Sequence, residues 1–286
     1  MALTGQRSAS LNEMVIENRF TLREGADWVE VETVVQNNVK DHRLRVVFPS
    51  GANTGTCLMD TPFDVVERKI ALRPDNDRYR ELEVEFKPQQ TFTAVFDSKR
   101  GVAVVSSGLL ECAVQDMPNR PVALTLFRAT RKTVNTDGEP GGQVQGELRF
   151  RYWIVPLQGA PARARLFDMS QMLAGGLRAT QLTAVDAVRF RQERSLPVES
   201  GFLSLEGPAV VTSLRKEGQA TEVRLFNPDG IPVEAILVFS EVGDMRCPLE
   251  VAPVNFESDP TGQPYPVENG RVVIPLGPKQ IRTLRF

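Results

Sequence analysis

A hydroxyl or thiol nucleophile needs a base within hydrogen-bond reach, and the commonest such base, histidine, occurs once in this sequence, as His42. A Ser-His-Asp or Cys-His relay therefore has one place to form, and a zinc site built on two imidazoles has none. His42 stands in Lys40-Asp41-His42-Arg43-Leu44, a charged turn leading into an apolar strand, where a partly exposed turn residue is the simpler reading. Carboxylates gather in Asp60-Thr61-Pro62-Phe63-Asp64-Val65-Val66-Glu67-Arg68. Two of them about 5 Å apart would suit the acid and nucleophile of glycoside cleavage, and a wider spacing an acid and base. A solvated loop in which Arg68 pairs with a neighbouring carboxylate is the plainer alternative.

Other chemical motifs stop short. Ser106-Ser107-Gly108 does not complete a nucleophile elbow, because Val104 stands where its first glycine belongs. The glycines from Gly138 to Gly146 lack the Gly-Lys-Ser/Thr of a phosphate loop and fit hairpin turns better. The aspartates and glutamates show no EF-hand spacing. Trp28 and Trp153 offer rings for stacking on sugars, but both lie in alternating segments where core packing competes. Cys57, Cys112 and Cys247 never form Cys-x-x-Cys, so they read as free thiols of a reducing, cytoplasmic compartment.

Composition narrows the classes. The chain has 286 residues, 41% of them hydrophobic, with 34 basic and 36 acidic side chains and a formal net charge of −2, enough for a sizeable core and without the basic stripe of a nucleic-acid binder. Its apolar runs resemble Ala235-Ile236-Leu237-Val238-Phe239, the length of a buried strand and far short of the ~20 residues of a membrane span. Met1 to Leu11 lack the apolar stretch of a secretory signal. No nucleic acid and no membrane are expected as partners.

Period-two alternation dominates the elements that must carry any site. Glu81-Leu82-Glu83-Val84-Glu85-Phe86-Lys87 is its clearest case, and it recurs in Trp28–Val35, Arg43–Phe48, Leu148–Ile154 and Glu222–Phe226. Pro49-Ser50-Gly51, Thr136–Gly142, Asn227-Pro228-Asp229-Gly230 and Glu268-Asn269-Gly270 punctuate these runs as turns. The rhythm breaks from Pro161 to about Arg194, where Ala162–Ala174 suits a short helix and Gly175-Gly176 interrupts it. The expected fold is all-β: a large sandwich over 1–160, a connecting segment with the short helix over 161–195, and a small immunoglobulin-like sandwich over 196–286.

Specific strings add a resemblance. Asn18-Arg19-Phe20-Thr21-Leu22-Arg23-Glu24-Gly25, Asp41–Pro49, Pro62–Arg68, Phe96-Asp97-Ser98-Lys99-Arg100-Gly101-Val102-Ala103-Val104, Ala123–Arg128, Glu222–Asn227 and Pro278–Phe286 are similar, in this order, to the β-rich carboxy-terminal half of glycoside hydrolase family 38, the α-mannosidases. Two strings depart from its pattern: Pro156-Leu157 stands for a frequent Pro-His, and Leu110-Glu111-Cys112 for a more usual Pro-Glu-Tyr. The resemblance implies a galactose-mutarotase-like supersandwich followed by smaller β domains. It implies, too, that catalysis belongs to an amino-terminal α/β barrel, with an Asp nucleophile, a second carboxylic acid and a zinc ion held by two His and two Asp. With one histidine this chain is expected to hold neither zinc nor another cofactor and to be inactive alone.

The leading expectation is thus the carboxy-terminal region of a cytoplasmic α-mannosidase, bracing its own catalytic barrel and shaping the cleft for a mannose-containing glycan. Asp97, Arg100 and Arg128, polar groups beside strand ends, are the candidates for the rim of the sugar pocket; hairpin ion pairing is the competing role. A freestanding lectin-like sandwich is the alternative, requiring a concave face with an exposed aromatic ring and polar donors. A mutarotase-like enzyme would need a His acid paired with a carboxylate base, for which only His42 is available.

Overall fold

The computed structural model describes residues 11–133, 136–137, 140–181, 183, 185–186, 199–242 and 246–286. The opening residues 1–10 and the 187–195 part of the expected connecting segment lie outside the described residues. Contacts divide the chain into two compact units, Met1–Pro62 with Val66–Ala160 and Phe63–Val65 with Pro161–Phe286.

The strands of the first part are β1 (Ile16–Leu22), β2 (Val29–Asn37), β3 (His42–Phe48), β4 (Thr56–Thr61), β5 (Asp64–Lys69), β6 (Phe86–Pro88), β7 (Phe92–Phe96), β8 (Gly101–Ser106), β9 (Glu111–Val114), β10 (Val122–Ala129), β11 (Lys132–Thr133), β12 (Thr136–Asp137) and β13 (Gly146–Leu157). They make a seven-stranded sheet ordered β1-β2-β13-β8-β7-β4-β5 and a four-stranded sheet ordered β3-β10-β9-β6, while β11 and β12 form a separate hairpin. The core lies between the two larger sheets. Val31, Val35, Met59, Val95, Val104 and Tyr152 reach it from one side, and Cys112, Val114, Leu124 and Phe127 from the other. Sheets packed face to face each turn every second side chain inward, which is why alternation was the dominant sequence signal.

The seven-stranded sheet is the wider, and β1 at its edge carries the consequence. Phe20 stands opposite Val31 and Ile16 opposite Val35, so these residues share the core-facing side of the sheet. Yet Ile16, Phe20 and Leu22 are 41%, 64% and 71% exposed.

One expectation fails locally. Glu81–Lys87 has the clearest alternation, but only Phe86–Pro88 joins a ladder, pairing with β9. The polar backbone of Glu83 goes elsewhere: its N–H donates to Asn76 Oδ1 at 2.7 Å, and its carbonyl accepts from Asn76 Nδ2 at 2.8 Å. A side-chain amide that satisfies both groups of one residue replaces the neighbouring strand.

The second unit contains α1 (Arg163–Gly175), β14 (Leu203–Glu206), β15 (Val210–Glu217), β16 (Ala220–Phe226), β17 (Val233–Phe239), β18 (Glu250–Val254), β19 (Tyr265–Pro266), β20 (Arg271–Leu276) and β21 (Ile281–Arg285). A three-stranded sheet, β14-β17-β20, faces a five-stranded one, β15-β16-β21-β18-β19. Ala235, Leu237, Val272 and Ile274 of the first meet Val223, Leu225, Val251 and Leu284 of the second in the core. Gly176, at φ +64, ends α1 where a side chain would strain the backbone. Among the described residues, no helix is long and apolar enough to cross a membrane.

Candidate functional site

Asp97 and Arg100 occupy the turn between β7 and β8, closed by Asp97 N–H donating to the Arg100 carbonyl at 2.9 Å. The sequence makes this turn tight. A Cβ on Gly101 would fall 2.3 Å from the Val95 carbonyl oxygen, so only glycine fits. Asp97 Oδ1 accepts from the N–H groups of Lys99 at 2.8 Å and Arg100 at 3.1 Å, and Oδ2 from Asn53 N–H at 2.8 Å. These backbone bonds from Asn53, Lys99 and Arg100 pull the Asp97 carboxyl down to about 2. It is a fixed anion with committed oxygens, suited to holding loops in place and unsuited to donating a proton at neutral pH.

What Asp97 holds is the loop between β3 and β4. Ser50 and Gly51 N–H both donate to the Asn119 carbonyl, at 2.9 and 3.2 Å, and Arg120 Nε donates to the Thr54 carbonyl at 2.8 Å. Three connections thus converge, and between them lies a groove of about 400 Å³ lined by Gly51, Asn53, Arg100, Asp116, Asn119 and Arg120. Arg120 pairs with Asp116. Arg100 is exposed, and among the described residues no carboxylate pairs with it, so its guanidinium is the donor left to a ligand.

Arg128 is not in that groove. It projects from β10, where Nη2 and Nε fork onto Glu111 of β9 at 2.7 and 3.0 Å. Thr125 Oγ1 donates to the same carboxylate at 2.7 Å, and Arg43 Nη1 lies 3.5 Å from it. Burial works to raise the Glu111 carboxyl, but the bonds from Thr125 and Arg128 outweigh it and leave it below its ordinary value. Phe86 lies beneath both guanidiniums, 5.0 Å from Arg128 and 5.7 Å from Arg43. Desolvation and then the neighbouring Arg45 and Arg128 charges lower the Arg43 pKa. The structure therefore brings Asp97 and Arg100 together and puts Arg128 into a separate cation-rich cluster whose carboxylate is already engaged. Sequence reasoning missed Asn53, Arg120 and Glu111. Gly51-Ala52-Asn53-Thr54-Gly55 and Asp116-Met117-Pro118-Asn119-Arg120 were the readable signals, each a run of loop-forming residues that carries polar side chains.

The earlier chemical candidates resolve differently. Asp60 is 0% exposed and accepts from Thr91, whereas Glu67 is exposed. Among the described residues, Arg68 Nε has no hydrogen-bond partner. Trp153 is 3% exposed and presents no platform. His42 opens β3 instead of standing in a turn, with its ring edge-on to Phe127 at 5.2 Å. Among the described residues, no group of three or more His, Cys, Asp or Glu could hold a metal ion.

Comparison with known proteins agrees with the fold. Residues 4–135 match the family described as Glycosyl hydrolases family 38 C-terminal domain. That stretch, a little under half of the chain, is similar to the C-terminal domain of that family. A crystal structure of an alpha-mannosidase from Enterococcus faecalis V583 superposes with a TM-score of 0.79 at 26% identity, covering 98% of this chain and 30% of that one. A second structure, of a family 38 glycosyl hydrolase protein from Enterococcus faecalis, gives 0.75 at 27% identity over 98% of this chain and 31% of that one. A putative mannosylglycerate hydrolase of Halalkalibacterium halodurans is 22% identical over 230 residues, 78% of this chain and 24% of its own length. The chain thus spans 24% to 31% of the lengths of these relatives.

Proposed function

We propose that this chain is the non-catalytic β region of an enzyme that hydrolyses α-mannosides, that it braces that enzyme's catalytic barrel, and that it is inactive alone. The observation that carries the reading is β1. Its Ile16, Phe20 and Leu22 lie on the core-facing side of their sheet and are nonetheless exposed, which costs about 25 cal/mol for each Å² of apolar surface left in water. A catalytic body laid against β1 would bury that row.

The groove at the loop end of the large sandwich supplies the second half of the role. Arg100 brings an uncommitted guanidinium and Asn53 a loop amide, both held by the Asp97 turn, as a sugar-pocket rim requires. Zinc and the reacting carboxylates belong, on this reading, to the barrel, and the three unpaired cysteines fit a cytoplasmic enzyme.

The test is reconstitution. Alone, the chain should not turn over an aryl α-mannoside in the presence of added zinc or cobalt; mixed with a separately produced barrel from the same enzyme, it should restore turnover, and Phe20→Asp should weaken the association. Turnover by the chain alone, or a barrel indifferent to it, would contradict the proposal.

A further inference from the structure

The small sandwich carries a second cleft, where the end of β18 meets the start of β21. Its volume is about 400 Å³, and Phe256, Gln263, Tyr265, Gln280 and Arg282 line it. Phe256 is 59% exposed although it belongs to a well-tied loop. Asn255 Oδ1 accepts from Glu257 and Asp259 N–H, both at 2.9 Å, and Asn255 N–H donates to the Asp259 carbonyl at 2.9 Å. Ser258, at φ +73, is held by Arg215 Nη2 at 2.9 Å. The Arg224 guanidinium sits over the Phe256 ring, 4.5 Å from its centroid, and the ring, 59% exposed, lines the cleft.

The polar groups are as ordered as the ring. Gln280 Oε1 accepts from Gly277 N–H at 2.7 Å, fixing the side chain with its amide N–H₂ still available. Arg282 is oriented by Tyr265, whose hydroxyl takes one of its five N–H donors. Among the described residues, nothing hydrogen-bonds the Gln263 amide. An exposed aromatic ring flanked by amide and guanidinium donors suits a ligand with an apolar C–H face and hydroxyls around its edge. The carboxylates of Glu257 and Asp259 on the same loop disfavour an anion.

We propose that this cleft binds one hexopyranose residue of a glycan, its C–H face on Phe256 and its hydroxyls accepting from Gln263, Gln280 and Arg282. The choice of a mannoside as probe rests on the function proposed above; the cleft's suitability for a neutral sugar ring does not. The experiment is a titration of the full ¹⁵N-labelled chain with methyl α-mannopyranoside, followed by NMR. Saturable shifts of the Gln263 and Gln280 side-chain amides at millimolar ligand are expected. Phe256→Ala should weaken binding about tenfold or more and Gln263→Ala about threefold, with unchanged melting temperatures. Phe63→Ala, which removes an exposed ring elsewhere, should leave affinity unaltered. No saturable shift up to about 50 mM, shifts confined to other surfaces, or undiminished binding by Phe256→Ala would each overturn the proposal. Since no catalytic part enters the titration, such a failure leaves the bracing role untouched, just as failed reconstitution would leave this cleft untouched.

Discussion

Glu222 stands directly opposite Arg285 in the β16–β21 ladder, and its Oε1 accepts from Arg285 Nη2 at 2.9 Å and Nε at 3.1 Å. On the other flank Arg215 of β15 is its register partner, reaching Oε2 with Nη2 at 2.8 Å and Nε at 3.0 Å. A central strand thus places one carboxylate, 1% exposed, between two guanidiniums. Burial works to raise this carboxyl, but the hydrogen bonds from Arg215, Ser258 and Arg285 prevail and hold it below the ordinary glutamate value.

Glu222→Ala should therefore cost about 2–4 kcal/mol in urea unfolding, because it strands two arginines that expect a buried counter-ion. Glu222→Gln should cost less. The sign with pH follows from the lowered native pKa: the contribution is complete above the unfolded glutamate value and is lost as pH falls through the folded one. The gap between wild type and Glu222→Gln should narrow in acid.

Asp60 has the opposite linkage. Burial pushes its carboxyl up to about 6, against the bonds from Thr91 that work to lower it. The native state then holds a proton that the unfolded state releases near 3.8, so stability falls as pH rises through the window from about 4 to 6 and levels off above it. Asp60→Asn should gain about 1–3 kcal/mol over wild type at pH 8 and little at pH 4. Unfolding curves across that range would show a constant difference if the idea were wrong.

The Asp97 turn should be brittle in a defined way. With its native pKa down at about 2, the carboxylate keeps its grip on the Asn53, Lys99 and Arg100 amides well below pH 4 and releases them as pH falls through about 2. Asp97→Ala should speed hydrogen exchange at those three amides at neutral pH, with the β10 amides of the core unaffected. Equal exchange in both proteins would remove Asp97 from its positioning role.

Gly101→Ala should destabilise by about 2–4 kcal/mol, since its Cβ would lie 2.3 Å from the Val95 carbonyl and 2.5 Å from Phe96 Cβ. A melting temperature within a degree of wild type would contradict that crowding.

How far the sequence told this story depends on the residues. β2 was legible because it has a covered face on one side and water on the other, the condition that writes alternation into a chain, whereas β16 alternates in residue type although its Glu222 is buried between arginines. Glu81–Lys87 carries the same pattern without the ladder, since alternation reports the polarity of faces and says nothing of who takes the backbone bonds; Asn76 takes them here. The site was less legible still. Asp97 and Arg100 were readable as a strand-end pair, but Asn53 and Arg120 join them through loops 44 and 20 residues away, a proximity that only the folded sheets create. Arg128 looked equivalent until β9 set Glu111 beside it.

The two thiols in the large sandwich have a practical corollary. Cys57 and Cys112 are sealed in the core, which pushes them up to about 11 and about 12, far from the thiolate that alkylating reagents require. Cys247 is half-buried. Toward maleimides the native chain should thus behave as a one-cysteine protein, accepting a single fluorophore in its smaller sandwich without mutagenesis, and urea should unmask the other two.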